Sequence, residues 1–365
     1  MVKKHNIFIK MLFTLNMVLK NLVESSFLTM KLGLLSAMAG LALVSCQNPM
    51  HPFNVLGEEY RQGMTFKKTS PIVIKNKQNL VLDGIMVSNP NGICIKLKNV
   101  KNVTIKNSWI TSCKGEGVHI IGSENVFIEE TYFEGISTGV YALDSKNIVV
   151  ANNEIKNVQG PFPRGQAVQF DKVFLGQIAF NYVVNVSNES FAEDAINLYE
   201  SNGTLDLPID VYKNYIRGGG PSDSGGGILL GDNGGSYQRA VGNILENPGQ
   251  YGIGVASGRN IHVEGNSIYG KKQFFTNTGL YVWNQYDASC ENIVIEDNSS
   301  YFINKNGSPN HFSDLSDRPK HNYPKCKNVS IRNNSFGNTK DLRTIDVSKN
   351  IGITNWSGPL STWTP

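Results

Sequence analysis

The chain has 365 residues, 40% of them hydrophobic and 18% charged, with a net charge of +4. That is enough apolar side chain for one sizeable core and too little charge for a disordered polyelectrolyte. The whole excess lies in residues 1–45, where Lys3, Lys4, Lys10, Lys20 and Lys31 face only Glu24, so the remainder is balanced and carries no basic stripe suited to nucleic acid.

Leu32 to Val44 is an apolar run behind the short basic region at Lys31, too short to span a bilayer. It reads as a processed export signal starting at Met30, with residues 1–29 an upstream extension. Leu43-Val44-Ser45-Cys46 resembles a bacterial lipobox. The resemblance implies a thioether-linked diacylglycerol on Cys46, and Gln47 in place of Asp points to the outer membrane, with the protein periplasmic or surface-exposed. Residues 1–45 are therefore leader and signal peptide, and 46–70 an N-terminal tether and cap. No later apolar run approaches the ~18 residues of a membrane span, so membrane attachment is expected through the lipid alone.

Residues 71–338 repeat. A segment reading apolar-x-apolar-x-x-Asn places Asn at 153, 181, 214, 243, 266, 298 and 334, with Ser108 and Thr131 in the same slot earlier. A short alternating strand followed by Asn at a fixed offset is a strand entering a tight turn. Stacked turns would let each amide bond the next, an internal ladder. The spacings run from 22 to 36 residues, one rung of a β-solenoid plus loops of variable length. Each repeat carries a second strand, such as Val140 to Leu143, Val168 to Asp171, Ile196 to Tyr199 or Leu280 to Trp283, whose alternate apolar residues face inward. The expected fold is all-β, a β-solenoid of about ten rungs, whose stacked strands resemble the single-stranded right-handed parallel β-helix proteins. Residues 339–365, with Trp356 and Trp363, are expected to cap its end. Cys290 and Cys326 share a register in consecutive repeats; stacked rungs ~4.8 Å apart bring them within disulfide reach. Cys94 and Cys113 share no register.

Loop excess falls at 160–165, 187–193, 201–207, 217–226 and 304–324. Long loops on a rigid scaffold tend to carry function. The outward residues of the second strands form two rows: His119, Tyr141, Gln169, Asn197, Leu229, Gly254, Tyr281; and Ile121, Leu143, Asp171, Tyr199, Gly231, Ala256, Trp283. Asp194 stands before one strand; Asp144, Lys172, Glu200 and Asp232 follow others. Acids, amides and flat aromatics along one groove suit a sugar polymer. Gln169, Asn197, Glu200 and Asp232 are candidate substrate-binding residues, with Tyr281 and Trp283 as aromatic platforms.

The stacked alternating strands and the Asn ladder resemble the right-handed parallel β-helix proteins of the pectate-lyase-like superfamily over roughly residues 70–340. The resemblance implies a carbohydrate-active protein, first a polysaccharide lyase on a uronic-acid glycan. Elimination needs a base and a cation that neutralises the sugar carboxylate. Lys172 or Tyr199 is the expected base; Arg164, Arg217, or Ca²⁺ held by Asp171 and Asp194, is the expected cation. The Trp-Ile-Asp-His block of pectate lyases, the acid and Gly-His-Gly motifs of polygalacturonases and the Asp-Pro-His-Asp motif of alginate epimerases are all absent. Two alternatives follow: a glycoside hydrolase using Asp171, Asp194 or Asp232, and a non-catalytic lipoprotein that binds glycan or a partner. The expected partner is an acidic polysaccharide and the expected state a monomer.

Overall fold

The structure, a computed structural model, describes residues 65–160 and 165–341. Cys46, Arg164, most of the N-terminal tether and the C-terminal cap with Trp356 and Trp363 lie outside the described residues. No helix among the described residues is long and apolar enough to cross a membrane.

The described chain coils through three sheets of 11, 10 and 10 strands. In each rung a short strand such as Glu154–Lys156 enters the first sheet, Val168–Asp171 the second and Phe174–Ala179 the third; the next rung begins with Tyr182–Val184. Successive rungs pair in parallel and in register. The fold is a right-handed parallel β-helix, the solenoid that the repeat predicts with the architecture that the resemblance implies.

Period-2 alternation in the second sheet places Val168, Phe170, Ile196, Leu198, Ile228, Leu230, Ile253 and Val255 fully inside. They join one continuous core running along the axis. The two-strand repeat read from sequence is incomplete, because the first-sheet strands are a third element beginning directly after the ladder residue. They are too short to show a period. Their outward residues, among them Tyr132, Tyr182 and Tyr215, are also buried, which erases the alternation.

The ladder lies at the corner between the third and first sheets. Asn153, Asn181, Asn214, Asn243, Asn266 and Asn298 are at most 1% exposed. Each Nδ2 donates to the Oδ1 of the next rung's Asn at 2.8–3.0 Å, from Asn153 through to Asn334. Each of these acceptor oxygens also takes the backbone N–H of the Asn before it. The corner's buried polar groups are thereby met within the protein.

A second, exposed amide ladder runs along the corner before the third sheet, joining Asn79, Asn102, Asn125 and Asn147, and resuming at Asn260, Asn292 and Asn328. These residues have φ of 52–57°, a conformation that Asn tolerates better than most residues. Leu175 and Tyr237 hold the slot in two of the three intervening rungs.

Two disulfides close the chain on itself. Cys290 and Cys326 are bonded with Cα atoms 4.4 Å apart, and Cys94 and Cys113 with 5.7 Å. The second pair joins the end of a first-sheet strand to the residue before a second-sheet strand, which a register comparison does not reveal.

Candidate functional site

The outward face of the second sheet gathers polar groups in the rungs of Val140–Leu143, Val168–Asp171, Ile196–Tyr199 and Ile228–Asp232. Tyr141, Gln169 and Asn197 stack in register at its centre. Asn197 is the hub. Its Nδ2 donates to Asp194 Oδ2 at 3.1 Å and to Asp232 Oδ2 at 2.8 Å.

Asp232 reaches this position through a β-bulge. Simple alignment of repeats puts Gly231 beside Tyr199 and leaves Asp232 in the turn. Instead the register shifts after Asn197, and Tyr199 pairs with Asp232. Gly231 supplies the shift: its φ is +63°, and a Cβ there would stand 1.9 Å from Ser257 O. Only glycine fits both constraints.

Each carboxylate has its own surroundings. Asp194, 4% exposed, accepts from Tyr251 Oη at 2.5 Å and the Gly226 N–H at 2.9 Å as well as from Asn197. Burial pushes its pKa up to about 7, against the pull of those donors and with a further push from Asp232. Asp232 accepts from Tyr286 Oη at 2.5 Å; burial raises its pKa, and Asp171 and Glu200 add to the rise. Asp171 Oδ2 accepts from Tyr141 Oη at 2.8 Å. Among the described residues no donor meets its other oxygen, nor Asn197 Oδ1, although both atoms are buried. A buried acceptor without a donor costs about 1–3 kcal/mol.

The other expected site residues fall differently. Lys172 and Glu200 are corner residues with φ of 55° and 46°. The Lys172 ammonium stands 3.9 Å from Glu200 Oε2, not among the buried acids. Tyr199 Oη accepts from Asn233 Nδ2 at 2.9 Å. Its pKa is raised, first by burial, so the phenol stays protonated at neutral pH. Arg217 does not lean over the acids. It ends a first-sheet strand, Tyr215–Arg217, where its Nε lies 3.9 Å from Glu246 Oε2.

Tyr281 and Trp283 are not free platforms. Tyr281 is 9% exposed, edge-on to Tyr251, and lies over Gly254, where a Cβ would meet its ring at 2.3 Å. Trp283 donates its Nε1–H to Arg318 O at 2.9 Å, tied to the long 304–324 loop. A Ca²⁺ shared by Asp171 and Asp194 does not fit this donor set. Both Asp194 oxygens are held by three hydrogen-bond donors, whereas Ca²⁺ takes six to eight oxygen ligands.

Sequence reasoning passed over Tyr251 and Tyr286. Tyr286 lies 54 positions beyond the carboxylate it contacts, in a segment with no repeat register. Tyr251 precedes a strand core like the other entry residues, and only its phenol sets it apart.

The architecture and the face together define a solenoid with a cluster of buried acids on one sheet. Residues 70–268 match the family model described as right handed beta helix region, and the chain belongs to that family. No curated protein sequence matches the chain. Among solved structures it is similar to the catalytic unit of a thermostable GH87 alpha-1,3-glucanase from Streptomyces thermodiastaticus strain HF3-3, with 9% identity, a TM-score of 0.35, and coverage of 71% of this chain and 50% of that one. It thus spans half the length of the glucanase unit. It is also similar to PfbA, a surface adhesin of Streptococcus pneumoniae, with 15% identity, a TM-score of 0.38, and coverage of 74% and 73%. Neither likeness is close enough to carry a site across.

Proposed function

We propose that the protein is a glycan-cleaving hydrolase that uses Asp194 and Asp232 on the outer face of the second sheet. The observation that carries this reading is one amide bridging two buried carboxylates. Their Oδ2 atoms lie 3.1 and 2.8 Å from Asn197 Nδ2, so they are at most about 6 Å apart. Carboxyl groups roughly 5–5.5 Å apart serve retaining glycosidases, whereas inverting enzymes need about 6.5–9.5 Å to admit a water.

Asp194 is the general acid. With a pKa of about 7 it holds a proton near neutrality and delivers it to the glycosidic oxygen as the bond to the anomeric carbon breaks. The Asp232 carboxylate, which Asn197 and Tyr286 steady against the effect of burial, attacks that carbon to form a glycosyl ester. Water then displaces the ester, giving its proton to Asp194. Elimination is the weaker reading: Lys172 reaches Glu200 rather than the acids, the Tyr199 phenol is held protonated, and Arg217 stands on another sheet.

Asp194→Asn and Asp232→Asn should each lower release of reducing ends at least about 10²-fold, the usual scale of acid–base catalysis. Nuclear magnetic resonance of the first product should show a retained anomeric configuration. Full activity in both variants would remove the acids from the mechanism. Normal glycan binding by a parent that releases no product would make the protein a binding lipoprotein. A product absorbing near 232–235 nm, the unsaturated mark of a lyase, would replace hydrolysis with elimination.

A further inference from the structure

Asp171 and Asn197 stand on adjacent rungs of the same face: Asp171 pairs with Tyr199, and Asn197 lies two positions before it. With strands ~4.8 Å apart and a rise of ~3.3 Å per residue, such diagonal neighbours are roughly 8 Å apart, about the reach of one sugar ring. Each presents a buried oxygen to which no donor comes from among the described residues. Asp171 is 8% exposed and Asn197 3%. Their remaining polar atoms are committed, Asp171 Oδ2 to Tyr141 and Asn197 Nδ2 to Asp194 and Asp232. What is missing at this spot is therefore donors, and a sugar hydroxyl is a donor. A uronate carboxylate is an acceptor and a negative charge, brought beside the carboxyl groups of Asp171 and Asp232. At short range in a dry site that repulsion is strong; of the two arginines expected to offset it, Arg217 is paired with Glu246 on another sheet and Arg164 lies outside the described residues.

We propose that this subsite takes an uncharged hexose or pentose unit through its hydroxyl groups and rejects uronic acids. The substrate class is a neutral glycan, not the acidic polymer that the fold alone suggests. The proposal rests on the reading that this face is the glycan site; it does not depend on which bond chemistry follows. A site built to receive hydroxyl donors discriminates strongly against a ligand that cannot supply them.

The test is affinity electrophoresis of the full chain in gels containing neutral glucans, mannans, galactans or xylans, or containing polygalacturonate or alginate, at one ionic strength. At least one neutral polymer should retard the protein at a concentration at least about tenfold lower than either uronate polymer requires, a difference worth one decade of affinity. Asp171→Asn replaces one acceptor oxygen with a donor amide and should weaken that retardation several-fold, with its thermal midpoint recorded alongside. Tighter retardation by a uronate polymer overturns the proposal, and so does retardation by no neutral polymer. An Asp171→Asn variant that folds and binds like the parent also overturns it. Should this variant fail to fold, the comparison of polymers on the parent decides alone. Neutral-polymer binding without new reducing ends would sink hydrolysis and leave this ligand class standing.

Discussion

At the residue scale the site depends on carboxylates kept away from water. Asp194 is raised from an ordinary carboxylate value to about 7, with burial the main cause. The sign for stability follows from linkage. Between about pH 4 and 7 the folded chain holds a proton at Asp194 that the unfolded chain has lost. This group's contribution therefore favours the fold at the acid end of that window and is lost as pH rises through it. The thermal midpoint of Asp194→Asn should change less with pH across the window than that of the parent, and equal slopes would show that Asp194 does not titrate there. Catalysis moves in the same direction, since an acid with a pKa near 7 loses its proton above it. Lys172 and Glu200 teach the opposite lesson. Their alternating charges look like chemistry in the sequence, but they occupy the left-handed corner slot, with Lys172 exposed and Glu200 half-buried, where a largely solvated ion pair is worth about 0–1 kcal/mol.

At the element scale two features govern the rungs. The first is the ladder. Asn243 Oδ1 accepts from the Asn214 backbone and side chain, and its Nδ2 donates to Val211 O and Asn266 Oδ1. Asn243→Ala orphans several buried groups at once and should cost about 3 kcal/mol or more. Asn334→Ala, at the ladder's half-exposed end, should cost less. Denaturant unfolding of both variants checks the ranking, and equal losses would mean the ladder acts as separate bonds. The second feature is the bulge. Gly231→Ala pushes a methyl group onto Ser257 O and asks alanine to hold a positive φ. Asp232 should then leave Asn197, and activity should fall as far as in Asp232→Asn while glycan binding at Asp171 persists. An active, stable Gly231→Ala would show that the bulge does not position the acid.

At the scale of the whole molecule, a solenoid holds together by neighbour contacts, so cross-links between distant positions count for more than in a globular core. The Cys290–Cys326 bond closes a span of 36 residues containing the long 304–324 loop, to which Trp283 is tied. A loop of this size is worth about 3–4 kcal/mol in the chain-entropy account. Cys290→Ser with Cys326→Ser should lower the thermal midpoint and release the terminal rungs first, seen as faster amide exchange in Lys327–Arg332 than in Ile196–Tyr199. Uniform exchange would indicate that the helix unfolds as one unit.

The repeat, the inward face and the internal Asn ladder were legible in the sequence because each is periodic and each residue type has one physical reason for its slot. An apolar alternation has to be buried, and an amide at a buried corner has to find another amide. The candidate site was legible in part. Asp171, Asp194, Asn197 and Asp232 stand out as polar residues crowded onto one face, but their arrangement does not. A one-residue bulge at Gly231 decides that Asp232 joins the face rather than the turn. Tyr251 and Tyr286 meet their acids across 57 and 54 positions. Arg217, three residues from the end of a ladder segment, is carried to another sheet by a strand too short to announce itself. A local pattern determines which face a side chain shares. Which groups touch, and which buried oxygens are left without a donor, is decided only when rungs stack and loops of unequal length fold back over them.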